Sequence, residues 1–150
     1  MKRWFSRWAT ALILAVAFVP AAMAANAMTV FSDPSCGCCG AWVNYVRAHD
    51  FAVTVHQDQP MGAVKAHHGV PAAAVSCHTA LIDGYVIEGH VPVEDIRRLL
   101  AERPDARGLA APGMPIGSPG MEVGPPERYD VLLILRDGST RVFASHGPNA

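Results

Sequence analysis

Three cysteines within four positions constrain this chain more than any other feature of its sequence. They occur as Cys36-Gly37-Cys38-Cys39, between a short β-prone run at 28–31 and a helix-like pattern that continues to about Asp50. The helix is predicted because apolar residues recur at the i, i+3, i+4 and i+7 positions that form one face. A thiol at the start of such a helix lies near its positive end, which lowers a cysteine pKa and supplies thiolate. Thiolate is both the nucleophile of disulfide exchange and a soft metal ligand.

The first 24 residues have the pattern of a secretory signal peptide. A basic start precedes an almost wholly apolar stretch at 8–20, which is short for a membrane-spanning helix of about 20 apolar residues. Ala22-Met23-Ala24 is a small-residue cleavage site. We therefore expect an exported protein, cleaved after Ala24 or after Ala27, with one mature domain at 25–150; the alternative is that the segment stays as an uncleaved anchor. Contact with the membrane is expected only through the leader before cleavage, and the predicted location is the periplasm.

The charge of the mature chain excludes some partners. Removing the leader takes away three of the twelve basic residues, which leaves nine against thirteen acidic ones, a formal charge of −4 with histidine neutral. A chain of that sign has no electrostatic basis for binding nucleic acid. The sequence also has no G-x-S-x-G, phosphate-loop or H-E-x-x-H motif, so it indicates neither a hydrolase nor a nucleotide enzyme.

The compartment decides how the four cysteines are interpreted. Outside the cytosol, thiols tend to become disulfides unless a metal or a redox partner holds them. Cys36 and Cys39 form a C-x-x-C pair, which occurs in redox sites, in metal sites and as an inert disulfide. The third thiol, Cys38, favours a metal site, because a dithiol exchanger gains nothing from a neighbouring thiol that competes for mixed disulfides.

The remaining pattern predicts an α/β domain. The elements expected after the first helix are a strand at 51–56, a short helix at 61–68, two strands at 79–82 and 85–87 around the hairpin turn Asp83-Gly84, and a helix from Pro92 that stops before Pro104. The order is β-α-β-α-β-β-α, with the cysteines between the first strand and the first helix. By analogy with that order, we predict a thioredoxin-like fold.

The chain changes character from about Gly108 to Arg128. Positions 109–127 contain five prolines and four glycines, and we expect no helix or strand there. Within this loop, Pro112-Gly113-Met114 (the first repeat) recurs as Pro119-Gly120-Met121 (the second repeat). A β-hairpin around Asp137-Gly138 is predicted to close the chain.

The two loop methionines, Met114 and Met121, are predicted to be metal ligands. They lie where no core periodicity exists, so burial does not explain them well. A thioether is a soft, neutral donor that selects Cu(I) and contributes little to Zn(II) binding. The alternative is that both side chains cover the surface of the core.

Cys77 and His78 precede the third predicted strand, and that segment faces the C-x-x-C loop in a thioredoxin-like fold. Cys77 is therefore predicted to complete a four-thiolate set, and His78 to add an imidazole. Two alternatives remain open: Cys77 as a disulfide partner of a clustered cysteine, and His78 as an exposed polar residue. For His90, a polar residue satisfied by the backbone is the favoured interpretation.

Four motifs carry a resemblance to a known family. They are Cys36-Gly37-Cys38-Cys39-Gly40, Ser76-Cys77-His78-Thr79-Ala80, the run from Asp83 to Pro92, and Gly113-Met114-Pro115. From about Met28 to Val142 the chain resembles the CopG-type periplasmic copper-resistance proteins. The resemblance implies a thioredoxin-like protein of bacterial copper homeostasis that binds Cu(I), with a role in interconverting copper oxidation states. The ligands it implies are Cys36, Cys38, Cys39, Cys77, Met114 and Met121.

The leading hypothesis is therefore a periplasmic Cu(I)-binding protein whose partners are copper ions and other periplasmic copper-handling proteins. Thiolates bridge readily between Cu(I) ions, so four cysteines can hold more than one. One alternative is an enzyme, a thiol–disulfide oxidoreductase of the periplasm. Another is an interaction module stabilised by Zn(II). The two methionines favour the first, because neither disulfide exchange nor zinc binding needs a thioether.

Overall fold

A computed structural model of the chain describes residues 26–150. The predicted leader at 1–24 and the cleavage site at Ala24 lie outside these residues. Across 26–150, no helix is both long enough and apolar enough to cross a membrane.

Seven strands and three helices make up the described part of the chain. The strands are β1 (Ala27–Phe31), β2 (Ala52–His56), β3 (Thr79–Ile82), β4 (Tyr85–Glu88), β5 (Gly108–Ala110), β6 (Tyr129–Ile134) and β7 (Thr140–His146). The helices are α1 (Gly37–Ala48), α2 (Met61–His67) and α3 (Val93–Glu102), and a single 3₁₀ turn forms at Ala72–Ala74. The mixed α/β class and the predicted order of the first seven elements are confirmed.

All seven strands belong to one mixed sheet in the order β2-β1-β3-β4-β5-β6-β7. Strand β1 runs parallel to β2 and antiparallel to β3, and β4 runs antiparallel to β3 and parallel to β5. The β3–β4 turn is the predicted Asp83-Gly84 hairpin, in which both residues have positive φ (49° and 83°), as a type I′ turn requires. The predicted terminal hairpin is also present, as the antiparallel pair β6–β7.

One expectation about the loop was wrong. Positions 108–110 were expected to be irregular, but they form β5 between β4 and β6. The prolines that disfavour a strand begin only at Pro112, so residues 108–110 keep their backbone donors. At Gly108 an added Cβ would overlap the Val86 carbonyl, so the close approach of β5 to β4 requires glycine. This pairing depends on distant strands, and local composition does not reveal it.

The core fixes α1 against the sheet and, with it, the cysteine turn. The predicted apolar face of α1 is buried through Cys39, Trp42, Val43 and Val46. Trp42 is completely buried and its indole N–H donates to the carbonyl of Val91, 3.0 Å away. A buried tryptophan with its one polar atom satisfied is a strong constraint on helix position, because Trp buries more surface than any other side chain.

Candidate metal centre

The strand register brings the predicted ligands to one end of the sheet. Phe31 at the end of β1 pairs with Thr79 at the start of β3, Thr79 pairs with Glu88 at the end of β4, and Glu88 pairs with Ala110 at the end of β5. We call this row the donor end of the sheet. Four segments of the chain lie at this end of the sheet. The cysteine turn follows β1, Cys77 and His78 directly precede β3, His90 follows β4, and the loop with the two repeats follows β5.

At the first of these segments, Cys36 caps α1 with extended backbone and Cys39 lies in its first turn. The two are joined by a disulfide, with their Cα atoms 5.4 Å apart. Cys38 and Cys77 are free thiols. The sequence left open whether Cys36 and Cys39 form a disulfide, and in the structure they do. The other alternative, a disulfide between Cys77 and a clustered cysteine, is not what the structure shows.

All four cysteine sulfurs meet at the donor end. The Sγ atoms of Cys36, Cys38, Cys39 and Cys77 lie within 4.8 Å of one another. The Cys38 sulfur is 3.5 Å from that of Cys36 and 3.9 Å from the Met114 thioether. Met114 is 52% exposed, so most of its side chain is not held by core packing. The structure therefore brings five of the predicted sulfur donors into one cluster.

Cys77 also belongs to a second group of donors. Its sulfur lies 3.2 Å from Nδ1 of His78 and 3.1 Å from Nε2 of His90, and these three ligand atoms lie within 4.8 Å of one another. Cys77 thus joins a thiol-rich side of the site to an imidazole side.

His78 is completely buried, which differs from the exposed alternative. Its ring packs against the Trp42 ring at 4.4 Å and the His90 ring at 5.0 Å between centroids. Burial lowers its pKa well below the ordinary value, and the charges of His90 and Lys65 lower it further. Among residues 26–150, its Nε2 atom has no hydrogen-bond partner although it is buried. His78 is therefore a neutral imidazole, the form that binds metals.

His90 is a functional candidate that the sequence analysis undervalued. Its Nδ1 lies 2.8 Å from the carbonyl of Pro119, and since a carbonyl only accepts, Nδ1 carries the proton. The lone pair is then on Nε2, which faces Cys77. A histidine whose other nitrogen donates to a backbone carbonyl is the usual arrangement of a metal ligand. Burial lowers the pKa of His90. In the sequence only Gly89 hints at a turn before His90, and in the structure its φ of 73° turns the chain into the site directly after β4.

Burial sets the protonation of Cys77 in the metal-free protein. The low-dielectric surroundings and the neighbouring Cys38 raise the pKa of its thiol to about 11. Cys77 is consequently protonated at neutral pH, and its thiol would have to lose a proton in order to bind a metal.

Met121 is held in a different way from Met114. Its backbone closes a turn, with the Met121 N–H donating to Ser118 O at 2.8 Å and its carbonyl accepting from Gly117 at 2.9 Å. The preceding Gly120 lies against the backbone of α1. A Cβ added there would be 2.7 Å from the backbone nitrogen of Trp42 and 3.1 Å from the carbonyl oxygen of Cys38. The second repeat therefore approaches the cysteine turn through its backbone, and a ligand role for the Met121 sulfur stays a prediction.

Fold and site together define a mixed α/β protein with a centre of soft sulfur and imidazole donors. The family model described as "Protein of unknown function, DUF411" matches residues 74–121, and no curated protein matches. Two solved structures named copper resistance protein CopG, forms 2 and 1, are 46% identical, with a TM-score of 0.77. The matches cover 81% and 82% of this chain and 98% of each solved chain. The chain belongs to the family of the copper resistance protein CopG.

Proposed function

We propose that this chain is a Cu(I)-binding protein of periplasmic copper homeostasis. The observation that carries the proposal is the meeting of four cysteine sulfurs within 4.8 Å, with a thioether 3.9 Å from one of them. Thiolates and thioethers are the ligands that select Cu(I), and the relatives are named for copper resistance. Export to the periplasm rests on the leader pattern at 1–24.

The thioredoxin-like architecture is part of the same proposal. Supporting it are the strand order β2-β1-β3-β4, the antiparallel β3, and the Cys36–Cys39 pair at the start of the helix after β1. Such a frame places thiols at the positive end of α1, which stabilises thiolate.

The state of the Cys36–Cys39 pair decides how many thiolates are available. As a disulfide it leaves Cys38 and Cys77 as free thiols, and reduction by two electrons supplies the other two. Two Cu(II) ions take up two electrons on reduction to Cu(I), so oxidation of the Cys36 and Cys39 thiols to one disulfide, with release of two protons, balances the reduction of two copper ions. This stoichiometry supports a role in interconverting copper oxidation states. The imidazoles of His78 and His90 supply donors that also suit Cu(II).

The test is the double replacement Cys36→Ser and Cys39→Ser, which substitutes two hard hydroxyls for two soft thiolates. We expect Cu(I) affinity to fall by orders of magnitude, measured anaerobically by competition with a colorimetric chelator. The same urea unfolding midpoint as a reduced parent sample would show that the fold persists. Unchanged Cu(I) affinity in the double variant contradicts the proposal, as does an absence of copper from protein purified anaerobically from copper-loaded cells.

A thiol–disulfide oxidoreductase is the second candidate, and the Cys36–Cys39 disulfide at the start of α1 favours it. Cys38→Ala separates the two. An exchanger keeps or improves its insulin-reducing activity when the competing thiol is removed, whereas a copper protein loses copper. We expect weak reductase activity in the parent and loss of copper in the variant. Strong turnover by the parent, with copper binding unaffected by the change, would rank the oxidoreductase first.

A further inference from the structure

One buried serine, Ser76, lies where three segments of the chain meet. These segments carry Cys77, Met114 and His90. It precedes Cys77 directly, and its hydroxyl is 3.9 Å from the Cys77 sulfur. The same hydroxyl donates to the carbonyl of Gly113, the residue before Met114. It also fills the space beside Gly89, where an added Cβ would overlap it, and His90 follows Gly89.

Ser76 is itself anchored by a buried carboxylate. Its backbone N–H donates to Oε1 of Glu88 at 2.7 Å. Glu88 is completely buried and forms an ion pair with Lys65 of α2 at 2.5 Å, and its second oxygen accepts from the Thr79 hydroxyl at 2.7 Å. A carboxylate with donors from α2, β3 and the segment before β3 is fixed in place, because loss of any partner leaves a buried charge poorly satisfied.

The link from Ser76 to the first repeat has two further parts. Ser76 and Gly113 pair as an isolated parallel bridge, and the Gly113 N–H donates to the Val75 carbonyl at 3.0 Å. The first repeat is therefore attached to the segment that carries Cys77 by two hydrogen bonds, one of them from a side chain. Met114 itself is half exposed and has no core packing of comparable strength.

We propose that Ser76, anchored by Glu88, is a positioning residue that holds the Met114 sulfur against the cysteine cluster and so slows the release of copper. The inference rests on the proposed Cu(I) function. Ser76 acts through Gly113 and Met114, because its hydroxyl is used by the Gly113 carbonyl. When the attachment is lost, the loop moves more freely and the thioether spends less time near the copper, which lowers its effective concentration.

The experiment measures the rate at which Cu(I) passes from loaded, reduced protein to an excess of a competing chelator. We expect Ser76→Ala to speed this transfer by about three- to tenfold, the equivalent of one ordinary hydrogen bond. The variant is expected to fold, because Gly113 is exposed and water can replace the lost donor. Ser118→Ala is the matched control: Ser118 is also buried, and its hydroxyl donates to Pro115 O within the loop at 2.7 Å. Its backbone N–H donates to the same carbonyl at 3.1 Å, so this turn survives in the variant and we expect the parent rate.

Combining Ser76→Ala with Met114→Leu tests whether the serine acts through the methionine. If it does, the double variant releases copper no faster than Met114→Leu alone. Fully additive effects, or a Ser76→Ala rate equal to that of the parent, overturn the proposal.

A metal-free readout separates this inference from the proposed function. The Met114 methyl resonance of the apo protein should shift and sharpen in Ser76→Ala, as the loop detaches, and should stay unchanged in Ser118→Ala. A parent protein that binds no Cu(I) would refute the proposed function while this comparison could still succeed. An unchanged methyl resonance in Ser76→Ala would refute the positioning role whatever the copper affinity.

Discussion

The first and second repeats have the same three residues, Pro-Gly-Met, but different parts of the molecule hold them. The first repeat pairs with Ser76, and its methionine is 52% exposed with the sulfur 3.9 Å from Cys38. The second repeat lies on α1, its proline carbonyl accepts the Nδ1 hydrogen bond of His90, and its methionine is partly buried. The first places a side-chain sulfur beside the cysteine cluster, and the second supplies a backbone carbonyl that orients the His90 imidazole.

The glycines of the two repeats, Gly113 and Gly120, also differ in how closely other parts of the molecule approach them. Both have positive φ, 70° at Gly113 and 83° at Gly120. A Cβ at Gly113 would meet nothing within 4 Å, whereas one at Gly120 would lie 2.7 Å from the backbone nitrogen of Trp42 in α1. Gly113 is therefore needed for its backbone conformation alone, and Gly120 is needed for conformation and for close approach. The repeated tripeptide thus shares a positive φ at its glycine but not a turn: the second repeat closes a turn from Ser118 to Met121, whereas Gly113 of the first repeat lies in a β-bridge with Ser76.

The largest difference between the repeats should come from Gly120→Ala. Left-handed backbone costs alanine roughly 1–2 kcal/mol, and the clash with rigid helix backbone adds to this, so we expect the free energy of unfolding to fall by about 3 kcal/mol or more. Gly113→Ala is the matched control, with an expected loss of about 1 kcal/mol from conformation alone. Urea unfolding of the metal-free protein measures both. Equal losses would mean that the second repeat is not packed on α1 as described.

The features that local sequence predicts well are those set by neighbouring residues. The face of α1 ending in Trp42, Val43 and Val46 follows from periodicity, and the Asp83-Gly84 turn follows from dipeptide chemistry. The order of these elements brings the four cysteines to one end of the sheet. The position of Cys77 just before the third predicted strand already indicated this, by analogy with a thioredoxin-like fold.

The features that sequence reasoning missed depend on distant partners. The orientation of His90, with Nε2 towards Cys77, follows from the carbonyl of Pro119, 29 residues later in the chain, and no local pattern indicates that contact. Strand β5 likewise forms because β4 and β6 lie on either side of it. Whether Cys36 and Cys39 are a disulfide or two thiolates depends on the redox state of the surroundings, so the spacing of the cysteines alone leaves both open.

A second difference concerns the sulfur of the first repeat. Met114→Leu keeps the bulk of the side chain and removes the thioether. We expect Cu(I) transfer to a chelator to become about tenfold faster, which corresponds to roughly 1.4 kcal/mol. The free energy of unfolding should change by less than about 1.5 kcal/mol, because Leu and Met exchange at little cost and the side chain is half exposed. Clear destabilisation with unchanged copper retention would make Met114 a packing residue and the loop a structural cover.

The smallest effect should come from Met121→Leu, and it tests the comparison most closely. The hydrogen bonds of Met121 are made by its backbone, to Ser118 and Gly117, and leucine keeps them. The sequence predicts a ligand role for this sulfur, yet the second repeat reaches the site through the Pro119 carbonyl. We therefore expect the rate of copper transfer to rise less than about twofold. The free energy of unfolding should change by less than about 1.5 kcal/mol. Stopped-flow transfer of Cu(I), with Met114→Leu run in parallel, measures the difference. If the two variants release copper equally fast, both sulfurs bind it, and the second repeat must close further onto the cysteines when copper is present, so that the two repeats become equivalent in the loaded protein.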